Sequence, residues 1–233
     1  MNFDLPAQNQ SLQAEADSVA TRVEPMAIEA DAMSAPHPGV RQALADSRLW
    51  ELLVPSEYGG RFPQVDPLAV AVVREVLMAT SSHLDSLFAL QGIGSYAVSI
   101  GGSEEQRQNW LPRVASGETL AALGLTESMA GSDLKSLKTV VLDDADGGGL
   151  ILNGEKAFIS NGGVAGFYTV LAKDGDGFSM LLVPAEVAGL TTKLTPEIIA
   201  PHILADLQFE GVRLPRTSIL GLRGQGFDLV LAT

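Results

Sequence analysis

Hydrophobic positions change period midway along the chain. Behind Ser11, a hydroxyl residue suited to an N-cap, Leu12, Ala16, Val19, Ala20 and Val23 recur at helical spacing and predict a first helix. Pro38 opens a second, carrying Val40, Ala43, Leu44 and Trp50. After the turn-rich stretch Val54-Pro-Ser-Glu-Tyr-Gly-Gly60, Asp66 caps a third helix. Its first position is Pro67, where a missing N–H costs nothing, and Val70, Val73 and Leu77 continue it. A fourth helix is expected from about His83 to Ile100, stopping at Gly101-Gly102. Ser103-Glu-Glu-Gln106 has the capping-box pattern and opens a last one through Trp110.

Beyond residue 119 the pattern alternates. Short apolar runs are expected as strands from Thr119 to Thr126, Lys138 to Leu142, Leu150 to Asn153, Glu155 to Ser160, Tyr168 to Ala172, Phe178 to Pro184, Gly189 to Leu194 and Leu204 to Phe209. Gly, Asp, Asn or Pro clusters separate them. Asp143 to Gly149 reads as a hairpin loop, and Asn153-Gly154 as a two-residue hairpin turn. Eight short strands so spaced point to an antiparallel barrel or sandwich. The final segment, from Gly224 to Thr233, opens like a helix.

Composition sharpens the boundary. Residues 1–120 hold 8 of the 24 glycines and no lysine, whereas residues 121–233 hold 16 glycines and all five lysines. The reading is α+β and multidomain: an all-α unit at 1–119, a β-barrel unit at 120–222, and the first turns of a further helical unit at 223–233. Only 18% of residues are charged, below the usual quarter or so, which excludes disorder and hints at surface meant to be covered. A net charge of −13 argues against nucleic acid and anionic lipid as partners. No apolar run is long enough to span a membrane, and the first ten residues carry no secretory signal, so the cytoplasm is the default location. The absence of cysteine excludes thiol chemistry and thiolate metal sites.

Two segments carry candidate chemistry. Leu123-Gly-Leu-Thr-Glu-Ser-Met-Ala-Gly-Ser-Asp133 leaves a strand into a turn of small residues, where Gly131 allows close backbone approach and Thr126 and Ser132 offer hydroxyls. Leu152-Asn-Gly-Glu-Lys-Ala-Phe-Ile-Ser-Asn-Gly162 places an aromatic, Phe158, and a hydroxyl, Ser160, on one strand face. Taken singly, spacing favours an ordinary capped loop for the first and a barrel edge with a satisfied serine for the second. His37, His83 and His202 share no motif and read as surface or core-edge residues; Trp50 and Trp110 read as core. Asp143, Asp144 and Asp146 lack a calcium-loop pattern and read as a solvated hairpin tip, so no metal is expected.

Order and combination say more. A helical half bearing Val54-Pro-x-x-Tyr-Gly-Gly60 is followed by Thr126-Glu-x-x-Ala-Gly-Ser-Asp133, then Leu152-Asn-Gly-Glu-Lys-x-Phe-Ile-Ser-Asn-Gly162, Phe209-Glu-Gly-Val-Arg-Leu-Pro215 and Gly221-x-x-Gly-Gln-Gly-Phe227. Across essentially the whole chain this resembles the acyl-CoA dehydrogenase family. The resemblance implies an all-α N-terminal domain, a middle β-barrel and a C-terminal four-helix bundle, of which only the opening turns fall within this sequence. It implies FAD as cofactor and α,β-dehydrogenation of an acyl thioester with hydride transfer to flavin N5. Leu125 and Thr126 correspond to residues meeting the flavin pyrimidine edge near N5, and Gly131 and Ser132 to the pair at the FAD pyrophosphate. Ser132 also corresponds to a contact of the substrate's pantetheine, and Leu123 to the acyl pocket, whose far wall falls within Leu90 to Val98. Phe158 stands where the family usually has tryptophan, and Ser160 where it has threonine.

The departures are specific. Ser128-Met129 replaces a usual Pro-Gly or Pro-Asn, and residues 195–204 lack a common Gly-x-Arg-x-Ser stretch. The resemblance places the catalytic glutamate in the C-terminal domain, outside these residues, leaving the catalytic base unassigned; Glu127 matches a structural loop position. It also implies an oligomer, an acyl-CoA or acyl-carrier substrate, and an electron-transfer flavoprotein or similar acceptor. CoA is favoured over an acidic carrier protein because no basic cluster is present. The alternatives are a non-catalytic flavin- or acyl-binding subunit, and a flavin monooxygenase or oxidase on the same scaffold.

Overall fold

The computed structural model of the chain describes residues 4–195 and 202–233. Seven helices and eight strands are present among them: α1 Ala7–Val23, α2 Ala27–Asp31, α3 Pro38–Ser47, α4 Pro67–Thr80, α5 Ser82–Gly101, α6 Glu104–Ala115, then β1 Ala121–Gly124, β2 Val140–Asp143, β3 Leu150–Ser160, β4 Phe167–Asp174, β5 Gly177–Pro184, β6 Leu190–Leu194, β7 Leu204–Leu214, β8 Ile219–Leu220, and α7 Gly226–Ala232. Helices thus precede strands as the periodicity predicts. The caps behave as their chemistry requires. The Asp66 carboxylate accepts from the Leu68 N–H at 2.9 Å, and Ser103 and Gln106 form a complete capping box. Ser11 caps nothing: α1 begins four residues earlier, after Pro6.

In the strand half, Asn153-Gly154 is not a hairpin turn. β3 runs straight through it, and the dipeptide forms a bulge where the pairing with β7 shifts register. Gly154 sits at φ +134°, and a Cβ there would lie 2.5 Å from the Thr139 Cα, so the glycine serves a close backbone crossing. The true hairpin is the predicted loop between β2 and β3. Strand order is β6-β7-β3-β2-β4-β5-β8, with β1 pairing β4 in parallel. Pairing is therefore mixed, and the sheet stays open instead of closing into the expected barrel.

The hairpin tip is not simply solvated. Asp144 is buried and paired with Arg213 at 2.7 Å, while Asp143 meets Arg216 and Arg223, each at 2.8 Å. Among the described residues no cluster of His, Asp or Glu could hold a metal ion, and no helix is long and apolar enough to cross a membrane.

α5 joins the two halves. Gln91, fully buried, donates to the carbonyls of Val114 and Thr119 and accepts from the Ala121 N–H, which staples α5 to α6 and to the start of β1. The Thr169 hydroxyl of β4 donates to the Gly94 carbonyl at 3.1 Å. Gly94 has no room for a side chain, since a Cβ would lie 2.5 Å from the backbone of Ala121 and Ala122. Beneath the other face of α5, Trp50 is completely buried, with its Nε1–H donated to the Leu87 carbonyl, confirming a packing role. Trp110 stacks obliquely on Phe167, ring centroids 4.7 Å apart.

Candidate functional site

Where α5, the end of β1 and the end of β3 meet, a cleft of about 180 Å³ opens. It is lined by Leu90 and Ile93, by Leu123, Leu125 and Thr126, and by Phe158, Ile159 and Ser160. Five of the expected site residues thus come together, with two residues from the expected far wall. Gly131 and Ser132 do not line the cleft. Both are exposed on the turn beyond it, and a Cβ on Gly131 would meet nothing within 4 Å, so the surface there stands open.

The cleft has apolar walls and a hydroxyl on each lip. Phe158 is the unusual member: its ring is 61% exposed, and its backbone lies in the left-handed region at φ +57°. For a bulky residue that conformation costs about 1–2 kcal/mol. It arises because β3 carries a second bulge between Lys156 and Ile159. Simple alternation would place Phe158 and Ser160 on one face; here the bulge and the left-handed turn bring them to the same cleft. The Phe158 N–H is held by Asp206 on β7, at 3.1 Å. An exposed, backbone-strained aromatic beside two hydroxyls is suited to stacking on a flat polar ring system.

Below the cleft lies a buried ion pair. Lys156 is fully buried, its Nζ 2.8 Å from Glu127 and 3.0 Å from the Leu125 carbonyl. Glu127, also buried, accepts from the N–H groups of Lys138 and Thr139 as well. Burial alone would push Glu127 up, but these hydrogen bonds, led by that from Lys156, hold its carboxyl below the usual range. Burial pushes Lys156 down from its ordinary value, opposed by Glu127. A carboxylate so fully engaged is a poor proton acceptor, in keeping with a structural role. The turn beyond it is tight despite Ser128-Met129: Glu127 and Ala130 exchange two backbone bonds, and Met129 projects outward. The Thr126 carbonyl accepts from the Ala157 N–H at 2.8 Å, so the loop and β3 are pinned at several points.

The histidines are less scattered than sequence spacing implies. The His37 N–H donates to His83 Nε2 at 3.0 Å, and buried His83 is pushed below its ordinary value by desolvation. His202 Nε2 lies 3.2 Å from Ser160 Oγ. Neither Lys156 nor His202 stands out by pattern, since both contacts depend on long-range register. Residues 196–201, within the stretch where the family pattern departs, lie outside the described residues.

Known proteins bear on both class and family. Residues 6–118 match the family model for the acyl-CoA dehydrogenase N-terminal domain, and residues 122–212 that for the middle domain. A solved glutaryl-CoA dehydrogenase in complex with glutaryl-CoA superposes with a TM-score of 0.88 at 27% identity, covering 99% of this chain and 60% of that one. Butyryl-CoA dehydrogenase from Megasphaera elsdenii gives 0.90 at 25% identity, covering 100% of this chain and 63% of that one. The architecture is that of these dehydrogenases. The chain belongs to the acyl-CoA dehydrogenase family. Among curated relatives, the probable acyl-CoA dehydrogenase FadE25 of Mycobacterium tuberculosis is 31% identical over 239 residues, covering 99% of this chain and 60% of the relative. Acryloyl-CoA reductase (NADH) of Anaerotignum propionicum is 32% identical, with the same shares covered. The chain therefore spans about 60% of the length of these relatives.

Proposed function

We propose that this chain forms the flavin- and acyl-holding portion of an FAD-dependent acyl-CoA dehydrogenase-type oxidoreductase. The observation that carries the reading is the cleft itself, in which an apolar wall faces two hydroxyls and an outward-turned aromatic. Its residues fit a flavin ring: Phe158 offers a face, while Thr126 and Ser160 offer hydroxyls to a polar edge. When bound, FAD supplies the hydride acceptor for α,β-dehydrogenation of an acyl thioester. Leu90, Ile93 and Leu123 receive the acyl chain and exclude water from it. Gly131 and Ser132, on the open turn, serve the pyrophosphate, and Ser132 the pantetheine arm.

Among the described residues no carboxylate lines the cleft, and Glu127 is committed to Lys156 and two backbone donors. The base for the α-proton is therefore assigned to the two-fifths of the relatives' length that this chain does not match, whether on the same polypeptide or another. An oligomer, with an electron-transfer flavoprotein or similar acceptor, belongs to the same reading.

The test is flavin retention and reduction. The chain, mixed with FAD and passed through gel filtration, is expected to keep the visible flavin absorption, and Phe158→Ala to weaken that retention. Joined to the portion of a relative that it does not match, it is expected to bleach with an acyl-CoA under anaerobic conditions. A chain that retains no flavin in either form would overturn the proposal.

A further inference from the structure

The peptide between Leu125 and Thr126 lies at one lip of the cleft, and its orientation is fixed from behind. Its carbonyl oxygen accepts from Lys156 Nζ at 3.0 Å. No peptide bond among the described residues is cis, so the other end of this unit, the Thr126 N–H, points away from the ammonium. The next peptide is held as well. The Thr126 carbonyl accepts from the Ala157 N–H at 2.8 Å, and the Glu127 N–H donates to the Ala130 carbonyl at 2.9 Å. Lys156 is anchored in turn by Glu127 at 2.8 Å, whose carboxylate also takes backbone N–H groups from Lys138 and Thr139. Leu125 and Thr126 line the cleft, whereas Lys156 and Glu127 do not. An ammonium can neutralise a buried carboxylate without reaching any main-chain oxygen. Here one of its three donors goes to the carbonyl that sets the lip.

We propose that Lys156, anchored by Glu127, is a positioning residue for the cleft: by holding the Leu125 carbonyl inward it turns the Thr126 N–H outward, to an acceptor atom of the bound ring. This rests on the flavin reading above, because the oxidised ring presents nitrogen and carbonyl acceptors along its edge. The lysine stands outside the cleft and acts through one peptide plane.

Three variants separate this role from one in stability alone. Glu127→Gln keeps the Lys156 donor, Lys156→Met removes it and strands a carboxylate, and the double variant removes it and strands nothing. Carbon NMR of the 233-residue chain without cofactor is expected to show the Leu125 carbonyl resonance unmoved in Glu127→Gln and shifted in both methionine variants. FAD affinity then reads the consequence. Glu127→Gln is expected to bind within about twofold of wild type. Lys156→Met and the double variant are both expected to bind about fivefold more weakly, the scale of one hydrogen bond, with shifted visible bands. Urea midpoints are expected to rank differently, with the double variant above Lys156→Met. Should Lys156→Met fail to fold, the double variant carries the same comparison. A Leu125 resonance unmoved in the double variant, or an unchanged affinity and spectrum there, overturns the proposal. So does an affinity that simply follows stability across the variants. If wild type binds no FAD while the Leu125 signal still moves in the double variant, the hold on the peptide stands and the flavin reading falls.

Discussion

Replacing Lys156 with methionine leaves Glu127 as an unpaired carboxylate inside the protein. Wild-type Glu127 receives an ammonium at 2.8 Å and two backbone N–H groups, and neither charged side chain is appreciably exposed. Methionine keeps most of the stem, which packs on Gly124, so the loss is electrostatic and not steric. Breaking a buried pair by removing one partner typically costs about 3–5 kcal/mol, a large share of the roughly 5–15 kcal/mol that holds a domain together. The Leu125 carbonyl loses its donor in the same step. Urea denaturation of Lys156→Met, Glu127→Gln and the double variant would give the coupling directly. It is expected at about 2–3 kcal/mol, because Glu127→Gln removes the stranded charge. There is also a pH signature. Glu127 has a folded pKa below its ordinary 4.5, so the stability it contributes is present above that value and lost as pH falls through the lower folded one. Lys156→Met raises the folded value and moves the acid limb of the stability curve upward in pH. Additive free energies within about 0.5 kcal/mol, with an unmoved acid limb, would refute the reasoning.

Other changes address the scaffold and the cleft. Gly94→Ala forces a methyl into the Ala121–Ala122 backbone and should cost about 1–3 kcal/mol. By lifting α5 it should also reduce FAD retention, measured by absorbance after gel filtration. His83 is pushed below its ordinary 6.5 by burial, so its contribution to stability is full above that pH and falls as pH drops through the folded value. Thermal melts of His83→Gln should show a flatter dependence on pH below 6.5 than wild type. Phe158→Gly relieves a left-handed backbone at an exposed side chain and should stabilise the chain by about 0.5–1 kcal/mol in urea while weakening flavin binding.

Much of the fold is legible in the sequence because its signals are local. Pro67 behind Asp66, the Ser103 capping box and the glycine-rich loop before β3 each act within a few residues, and each stands where the pattern predicts. Asn153-Gly154 misleads for an instructive reason. The dipeptide favours positive φ, which both a hairpin and a bulge require, and only the position of β7 decides between them. Sheet closure is likewise a matter of which edges meet, and no local pattern encodes it. Resemblance to a family brings Leu123, Leu125, Thr126, Phe158 and Ser160 into one candidate site, whereas spacing alone leaves each with an ordinary structural reading. Lys156 and His202 escape because their partners lie 29 and 42 residues away.

The cleft therefore depends on a brace whose members are not in it. Phe158 and Asn161 flank Ser160, and both are left-handed. Two such residues within four positions would let a free strand relax toward ordinary β geometry. β7 and its approach prevent this, with Asp206 on the Phe158 N–H and Ile203 on the Asn161 N–H. The ion pair under Leu125 fixes the facing loop in the same way. Strain is thus concentrated at the lip that presents a ring and a hydroxyl, and the bonds that hold it are made to neighbours behind it. Such an arrangement keeps the two lips apart and oriented before any ligand arrives, so binding need not supply the ordering.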